Sequence, residues 1–542
     1  MRGAKSAKWV ASAIVVAMAA TACGGGSEGD DSGSASGKVS MDIAEPKRLI
    51  PATTTESSGN QVLAALFTPL VNFDDENKPV MAAAESIESE DNKTWTIKLK
   101  DATWHNGDPV TAQNYVDAWN WGAYGPNAAD GNYFFGTFEG YEAMNPTDPD
   151  GEEGPKEAPE PEADKLSGLK AVDDKTIEVT LSAPFSGFAS LLGYTVFYPM
   201  PEVAFDDVEA YEEAPIGQGP FKMDGEWQHD QLVSVTAYED YKLGDKPKID
   251  AIDFKIYQDQ NTAYNDLLAG NLDILRTIPT EVMGTAQSDL GDRYKTSPAS
   301  TFQFLAYPTY EDAYEDVRVR KAISMAIDRD QIVDVVFQGS QEAARSFVSP
   351  VVGGYRENTC GEACKFDPEA AKALLDEAGG FKGDKIEFGY NADGGHKQWV
   401  DATCDQIRKN LDLECVGTPI PKFAELLTQV ENEQFGGPFR MGWIMDYPSM
   451  ENYLGPLFST GGSSNYYGYS NEEFDKLVAD GRAAKTEEEA IEIWQKAEDI
   501  LAEDMPVIPL RFGKNVFGHS ESVNGVEIDL YNNVVLDKIE TA

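Results

Sequence analysis

From residue 41 to residue 542 the chain runs with no long linker and no internal repeat. A single hydrophobic core stops growing at roughly 250–300 residues, so a chain of 542 residues has to divide into about three or four domains. Without linkers to separate them, those domains are expected to be interwoven. Apolar residues make up 41% of the chain and aromatic residues 11%, enough to fill such cores.

Helix and strand signals alternate along this region. NKTWTIKLK alternates Trp95, Ile97 and Leu99, and KTIEVTLSAP alternates Ile177, Val179 and Leu181, the period of half-buried strands. After a turn at Asn106-Gly107, Thr111 is placed to cap a helix with Tyr115, Ala118 and Trp119 on one face. DPEAAKALLDEAGG reads as a helix with Asp367 as N-cap, Pro368 at the first position and Gly379 as the stop. DVRVRKAISMAIDRDQIVDVVFQG predicts two consecutive helices, the second capped near Asp328 or Asp330 and ended by Gly339. A helix pair broken near Gly481 follows Asn471 and ends at Pro506, after which MPVIPLRF reads as a buried strand. PIGQGPF predicts a tight turn before a strand. The acidic, Pro-rich stretch 145–165 predicts a solvated surface loop.

The first residues read as an export signal. Arg2, Lys5 and Lys8 precede the apolar run WVASAIVVAMAATA and then Cys23. The run is shorter than the roughly 20 residues that cross a bilayer. ATAC, Ala20 to Cys23, is similar to the box that precedes the lipidated Cys of bacterial lipoproteins, with Ala20 where Leu is usual; cleavage near Ala22 with secretion is the alternative. GGGSEGDDSGSASGK then supplies a tether without core-forming residues. A doubly or triply acylated Cys23 is expected to anchor the protein stably.

Against 44 Lys+Arg stand 93 Asp+Glu, a formal net charge of −49. Such a surface repels nucleic acid and anionic headgroups, so neither is an expected partner. Beyond Cys23, the cysteines fall in two close pairs, Cys360/Cys364 and Cys404/Cys415, whose simplest pairing in an oxidising compartment is local. Zinc is the alternative, but the spacing is not that of a finger and His396 is the only nearby histidine. No metal or cofactor is expected.

Catalytic equipment is poor. The four histidines, at 105, 229, 396 and 519, make no His-Glu-x-x-His motif, and there is no Gly-x-Ser-x-Gly elbow or Walker loop. Paired acids are too abundant to single out a glycosidase pair. The expectation is a non-enzyme, with an extracellular hydrolase as the weakest competitor.

One carboxylate is conspicuous. In GWIMDYPS, Asp446 sits among Trp443, Ile444, Met445 and Tyr447. A carboxylate in apolar surroundings needs a partner. That partner is either a structural group of the chain or the positive end of a ligand, and the spacing leaves both open.

Several ordered motifs resemble the peptide/nickel family of ABC-transporter solute-binding proteins, extracellular solute-binding protein family 5, and within it the oligopeptide branch. They are LKDATWHNGDPVTAQNYVDAW (99–119), PIGQGPFKM followed by VSVTAYEDYK, TAYNDLLAGNLDIL and DVRVRKAISMAIDRDQI. The resemblance covers nearly all of 41–542. It implies an α/β, three-domain clamshell of the type II periplasmic-binding-protein class. After a signal peptide (1–22) and a tether (23–40), domain I would be discontinuous (41–67, 184–300 and 506–542), with domain II at 68–183 and domain III at 301–505.

The same resemblance assigns residues. Asp446 occupies the position that takes a peptide ligand's α-ammonium group, and the backbone of Gly442 and Ile444, flanking Trp443, would pair with the extended peptide. Arg440 matches an Arg that helps receive the ligand's C-terminus; a second Arg about nine residues earlier is missing, and Glu431 lies there. His396 matches a cleft histidine, Tyr133 an aromatic presented by domain II, and Thr54–Ser58, with Thr55 and Ser57, a segment lining the cleft. Trp443 and Tyr447 are either ligand contacts or core. SMENYL, where the family often has Asp-Pro, weighs against the dipeptide-specific subgroup and leaves nickel and haem readings unsupported.

The expectation is therefore a monomeric, lipid-anchored oligopeptide receptor on the outer face of the cytoplasmic membrane. It would deliver ligand to a permease driven by separate ATPase subunits. A receptor of the same fold for an oligosaccharide or opine-like solute, or a peptide-signal sensor, are the alternatives.

Overall fold

A computed structural model describes residues 37–74, 77–146, 159–392, 395–421, 423–529 and 531–542. The export signal, Cys23 and most of the tether and of the acidic insertion lie outside the described residues. The first strand, β1 (Lys38–Ile43), begins inside the stretch expected to be tether. It pairs in parallel with a later strand over all six residues, and Lys38 forms an ion pair with Asp253 at 2.8 Å, which fixes the chain earlier than its composition suggests.

Strands β2 (Val71–Phe73) and β3 (Pro79–Met81) make a hairpin. Then β4 (Ala84–Ser89), β5 (Thr94–Leu99), β6 (Leu169–Asp173) and β7 (Thr176–Thr180) form a four-stranded sheet in the order β4-β5-β7-β6. Both alternating runs read from the sequence are here, and Ile97, Ile177, Val179 and Leu181 are fully buried. The helix Ala112–Ala123 crosses this region, with Thr111 and Asn114 in a capping box and Trp119 buried.

The remaining strands join β1 in one eleven-stranded mixed sheet. They are β8 (Phe221–Met223), β9 (Leu232–Ala237), β10 (Ala251–Ile256), β11 (Ile274–Leu275), β12 (Tyr294–Ala306), β13 (Gln341–Ala343), β14 (Ile386–Asn391), β15 (Cys415–Ile420), β16 (Phe439–Trp443) and β17 (Val507–His519). The order is β15-β14-β16-β12-β17-β11-β1-β10-β9-β8, with β13 also on β17. MPVIPLRF is thus the start of a central strand, not of an edge.

Two lobes share this sheet. One core joins β1, the four-stranded sheet, β8–β10 and C-terminal residues such as Val534 and Ile539. It runs without a break through the expected boundaries at 67/68 and 183/184. The second lobe has a core on each face of its part of the sheet. Phe302, Phe304, Phe439 and Phe512 lie on one face, Leu305, Ile508 and Trp399 on the other. Among the described strands only β12 and β17, 13 residues each, belong to both lobes. Their antiparallel ladder is interrupted between Pro298 and Phe302 and slips again between Gln303 and Phe304.

Local signals hold where they were strong. Asp367 caps Pro368–Glu377, and Asp328, not Asp330, caps Arg329–Val336. The C-terminal helix pair is Glu472–Arg482 and Glu487–Asp504, so its break falls just past Gly481. Cys360 pairs with Cys364 and Cys404 with Cys415. In PIGQGPF a Cβ on Gly217 would lie 1.8 Å from the Leu66 carbonyl oxygen. Glycine is needed there for close approach, before β8 begins.

The lobes also touch away from the shared strands. Asn77 Nδ2 donates to the Val351 carbonyl and Asn92 Nδ2 to that of Ala484. Ser186 donates through its backbone N–H to Arg482 O (2.7 Å) and through its hydroxyl to Gly481 O (3.2 Å). The Arg482 guanidinium lies 4.8 Å over the Phe185 ring.

Candidate functional site

Strand β16 is paired along its whole length on one side and at one position on the other. It pairs with β12 from Phe439↔Ala306 to Trp443↔Phe302, whereas β14 meets it at the single position Gly389↔Phe439. From Met441 to Trp443 the outer edge has no strand partner among the described residues. Such an edge is a template for an added strand. A Cβ on Gly442 would stand 2.3 Å from Gln303 Nε2, so glycine lets that side chain lie against the strand.

Asp446 lies three residues beyond the strand. Its backbone N–H donates to Asn452 Oδ1 (2.8 Å), and Asn452 Nδ2 donates back to its Oδ2 (3.0 Å). The Trp443 indole N–H donates to the same Asn452 Oδ1 at 3.1 Å. Asn452, on the helix Glu451–Phe458, therefore fixes both the loop and the carboxylate. Among the described residues no Lys, Arg or His makes an ion pair with Asp446. Burial pushes its pKa up to about 6; the Asn452 hydrogen bond opposes this and the nearby Glu451 adds to it.

Across from Asp446 the first lobe presents tyrosines. Tyr133 has 58% of its surface accessible. Its ring stacks on Phe134 at 4.4 Å, Phe134 stacks on Tyr194 at 4.7 Å, and Tyr194 meets Tyr531 edge-on at 5.7 Å. Reduced solvation between the lobes, and then the charge of Asp446, raise the phenol pKa of Tyr133 and of Tyr194. The anion on one lobe is thus felt by the hydroxyls of the other. Thr55 and Ser57 are exposed beside Glu56, which caps the helix Ser57–Leu66 by accepting from Ser58 N and Gly59 N and whose charge also reaches Tyr194.

Other expected site residues are placed differently. Ile444 is 63% exposed beside the free edge, and Trp443 is half-buried. Tyr447 is buried; its hydroxyl donates to Glu451 Oε2 and its ring meets Phe185 of the first lobe at 5.9 Å. It is an interlobe contact, as its apolar setting requires. His396 is 7% exposed, and its Nδ1 accepts from the Trp399 indole at 3.1 Å. It is packed at the start of the helix Lys397–Leu411 and is not displayed on a surface loop. Arg440 donates to Asn391 Oδ1 (3.3 Å) and Gln303 Oε1 (3.4 Å), on the lobe that carries Asp446.

Sequence reasoning missed Asn452 and Gln303, polar residues with no local signal to mark them. It also missed Arg511, which did have one: it is the only charge in MPVIPLRF, the same contrast that singled out Asp446. Among the described residues no cluster of three or more His, Cys, Asp or Glu is arranged to hold a metal.

Comparisons with known proteins agree on the class. The sequence model of "Bacterial extracellular solute-binding proteins, family 5 Middle" matches residues 78–465. The chain is 29% identical to the oligopeptide-binding protein OppA of Bacillus subtilis over 538 residues, 95% of each chain. It is 28% identical to the dipeptide-binding protein DppE of the same organism, over 84% of this chain and 82% of that one. Among solved structures, the unliganded open form of the murein tripeptide-binding protein MppA superposes with a TM-score of 0.78 at 23% identity, covering 94% of this chain and 98% of the other. Peptide-bound OppA of Listeria monocytogenes gives 0.68 at 24%, covering 94% and 100%. The fold is that of the type II periplasmic binding proteins, an α/β clamshell.

Proposed function

The chain belongs to the bacterial extracellular solute-binding proteins of family 5, and on that premise we propose that it is the oligopeptide receptor of an ABC importer. One observation carries the reading: Asp446 is a desolvated carboxylate, held in place by Asn452, with no cationic partner among the described residues, beside the free edge of β16. A peptide N-terminus supplies both missing parts. Its ammonium group forms a charge-assisted bond to Asp446, and its extended backbone adds to the edge from Gly442 to Ile444. A non-peptide amine would satisfy the carboxylate and leave the strand edge unused. Relatives named for oligopeptide and dipeptide binding support the peptide class.

Closure is proposed to bend β12 and β17 where their ladder is interrupted, between Pro298 and Phe302. The first lobe would combine domains I and II, and the second would be domain III. Tyr133, Thr55 and Ser57 would then meet the ligand from one side, and Asp446, Gly442 and Ile444 from the other. Thermodynamically, ligand binding shifts the population toward the closed form.

Calorimetric titration tests this. Protein unfolded and refolded to strip carried-over ligand is titrated with a pool of tri- to hexapeptides, and with the same pool acetylated at the N-terminus. Binding of the free pool alone is expected, with the peptides recovered uncleaved. Equal binding of both pools removes Asp446 from the site, and binding of neither refutes the peptide reading.

The lipid anchor rests on ATAC and the tether that follows. Cys23→Ser is expected to move the protein from the membrane fraction to the medium. Retention of the variant after a carbonate wash would rule the anchor out.

A further inference from the structure

Four arginines are almost wholly buried: Arg276, Arg320, Arg329 and Arg511. Three donate to backbone carbonyls, although the Nε of Arg276 is itself buried without an acceptor. Arg276 donates to Ser57 O and Asn532 O, Arg320 to the carbonyls of Tyr314, Glu315, Asp504 and Met505, and Arg329 to those of Pro509, Ser324, Ile327 and Cys364. Arg511 is the exception. It is 8% exposed, its Nε is buried with no acceptor, and no carbonyl or carboxylate among the described residues receives any of its N–H groups. A guanidinium has five donors in a fixed fork, and a buried cation left without an anion is costly. Two aromatic faces offset part of that cost: Phe337 lies 4.3 Å and Trp399 5.1 Å from the guanidinium carbon.

Its position points at the cleft. Gln303 is the register partner of Arg511 on β17 and of Gly442 on β16, so the three stand in one row across the sheet on one face. Gln303 also accepts from Arg440, whose positive charge reaches Arg511 and, after burial, helps lower its pKa to about 9. Behind Arg511 the space lined by Arg329, Ile332, Val333, Trp399 and Leu510 measures about 10 Å³, room for no more than one water. An anion therefore approaches from the Gln303 side.

We propose that Arg511 is an anion-binding residue of the cleft that, beside Arg440, takes a carboxylate carried by the ligand, either the C-terminus or an acidic side chain. The identity of that ligand as a peptide rests on the function proposed above; the anion site itself does not. A carboxylate matches the guanidinium fork in two parallel hydrogen bonds. With Asp446 it would give the cleft a cationic and an anionic reader on one lobe.

The experiment compares the wild type with Arg511→Met and Arg511→Lys in the calorimeter. Three peptide pools are used: free C-terminus, C-terminal amide, and C-terminal amide with an internal Glu. Arg511→Met is expected to weaken binding of carboxylate-bearing pools by about tenfold or more, the scale of a lost hydrogen bond to a charged group. The neutral amidated pool should be unchanged, and Arg511→Lys should restore part of the loss. Loss confined to the free-terminus pool assigns the terminus; loss that extends to the Glu pool assigns the side chain. Equal loss in all pools, or none in any, overturns the proposal. If the wild type binds no peptide, the peptide reading fails and acetate becomes the probe. A rise in melting temperature with acetate that Arg511→Met abolishes upholds the anion site, and no such rise overturns it.

Discussion

Asp446→Asn is expected to weaken binding of free-amine peptides by about 2–4 kcal/mol, the scale of removing one partner of a desolvated charge pair, without destabilising the empty protein. The amide keeps an oxygen for Asn452 Nδ2 and removes a carboxylate that burial already disfavours. pH separates the two effects. The folded carboxyl titrates near 6 against an ordinary value of 3.8, so between those values the folded state holds more protons than the unfolded one. Asp446 therefore lowers stability as pH rises through this window, leaves it unaffected below about 4, and does so no further above about 7. The Asn variant lacks that decline. Binding runs the other way, because the ligand's ammonium group needs the ionised form. Wild-type affinity should fall about tenfold from pH 7 to pH 5, and the variant's should stay level. Calorimetry at both pH values, with thermal melts of the empty proteins, measures both. An unchanged affinity at pH 7 would take Asp446 out of the site.

Arg356→Met should give the largest loss of stability, about 3–5 kcal/mol, the scale for uncovering a buried carboxylate. The Glu498 side chain is 0% exposed and accepts from Arg356 Nη2 at 3.0 Å and from the Phe347 backbone N–H at 3.2 Å. Arg356 also donates to the Gln495 carbonyl at 2.6 Å. Together they tie the segment around Phe347–Arg356 to the helix Glu487–Asp504. That segment includes Val351, whose carbonyl meets Asn77 of the other lobe. Burial already raises the pKa of Glu498 even with Arg356 present. Without Arg356 it would rise further, so the deficit should shrink as pH is lowered and Glu498 takes up a proton. Urea unfolding from pH 8 to pH 5 measures this. A loss below about 1 kcal/mol at pH 8 would mean that the remaining hydrogen bonds and solvent suffice.

What the sequence revealed depended on how local the cause was. Trp95, Ile97 and Leu99 announce a strand because alternate side chains share a face, and Asp328 and Asp367 announce helix starts because a cap bonds within its own turn. The order of the central sheet has no such signal. β17 pairs with β12 and β11, more than 200 positions earlier, and β1 begins at Lys38 because of a partner at Ala251. The site divides in the same way. Asp446 stands out against its apolar neighbours, but the Asn452 that holds it looks like any polar residue at the start of a helix. For Tyr447 and His396 the family resemblance suggested a ligand contact, and no local signal showed their packing: the first lies against Phe185 and Glu451, the second against Trp399.

The position of β17 bears on how the chain is made. It lies between β12 and β11, joins the two halves of the sheet, and follows every other strand of that sheet in the sequence. Domains generally fold as units, N-terminal first during synthesis, but here the central sheet waits for a strand made after all its others. Until residues 507–519 emerge, β12 and β11 each lack a neighbour and the sheet stays in two unjoined pieces. A nascent chain of this kind cannot close its central sheet before that strand is made.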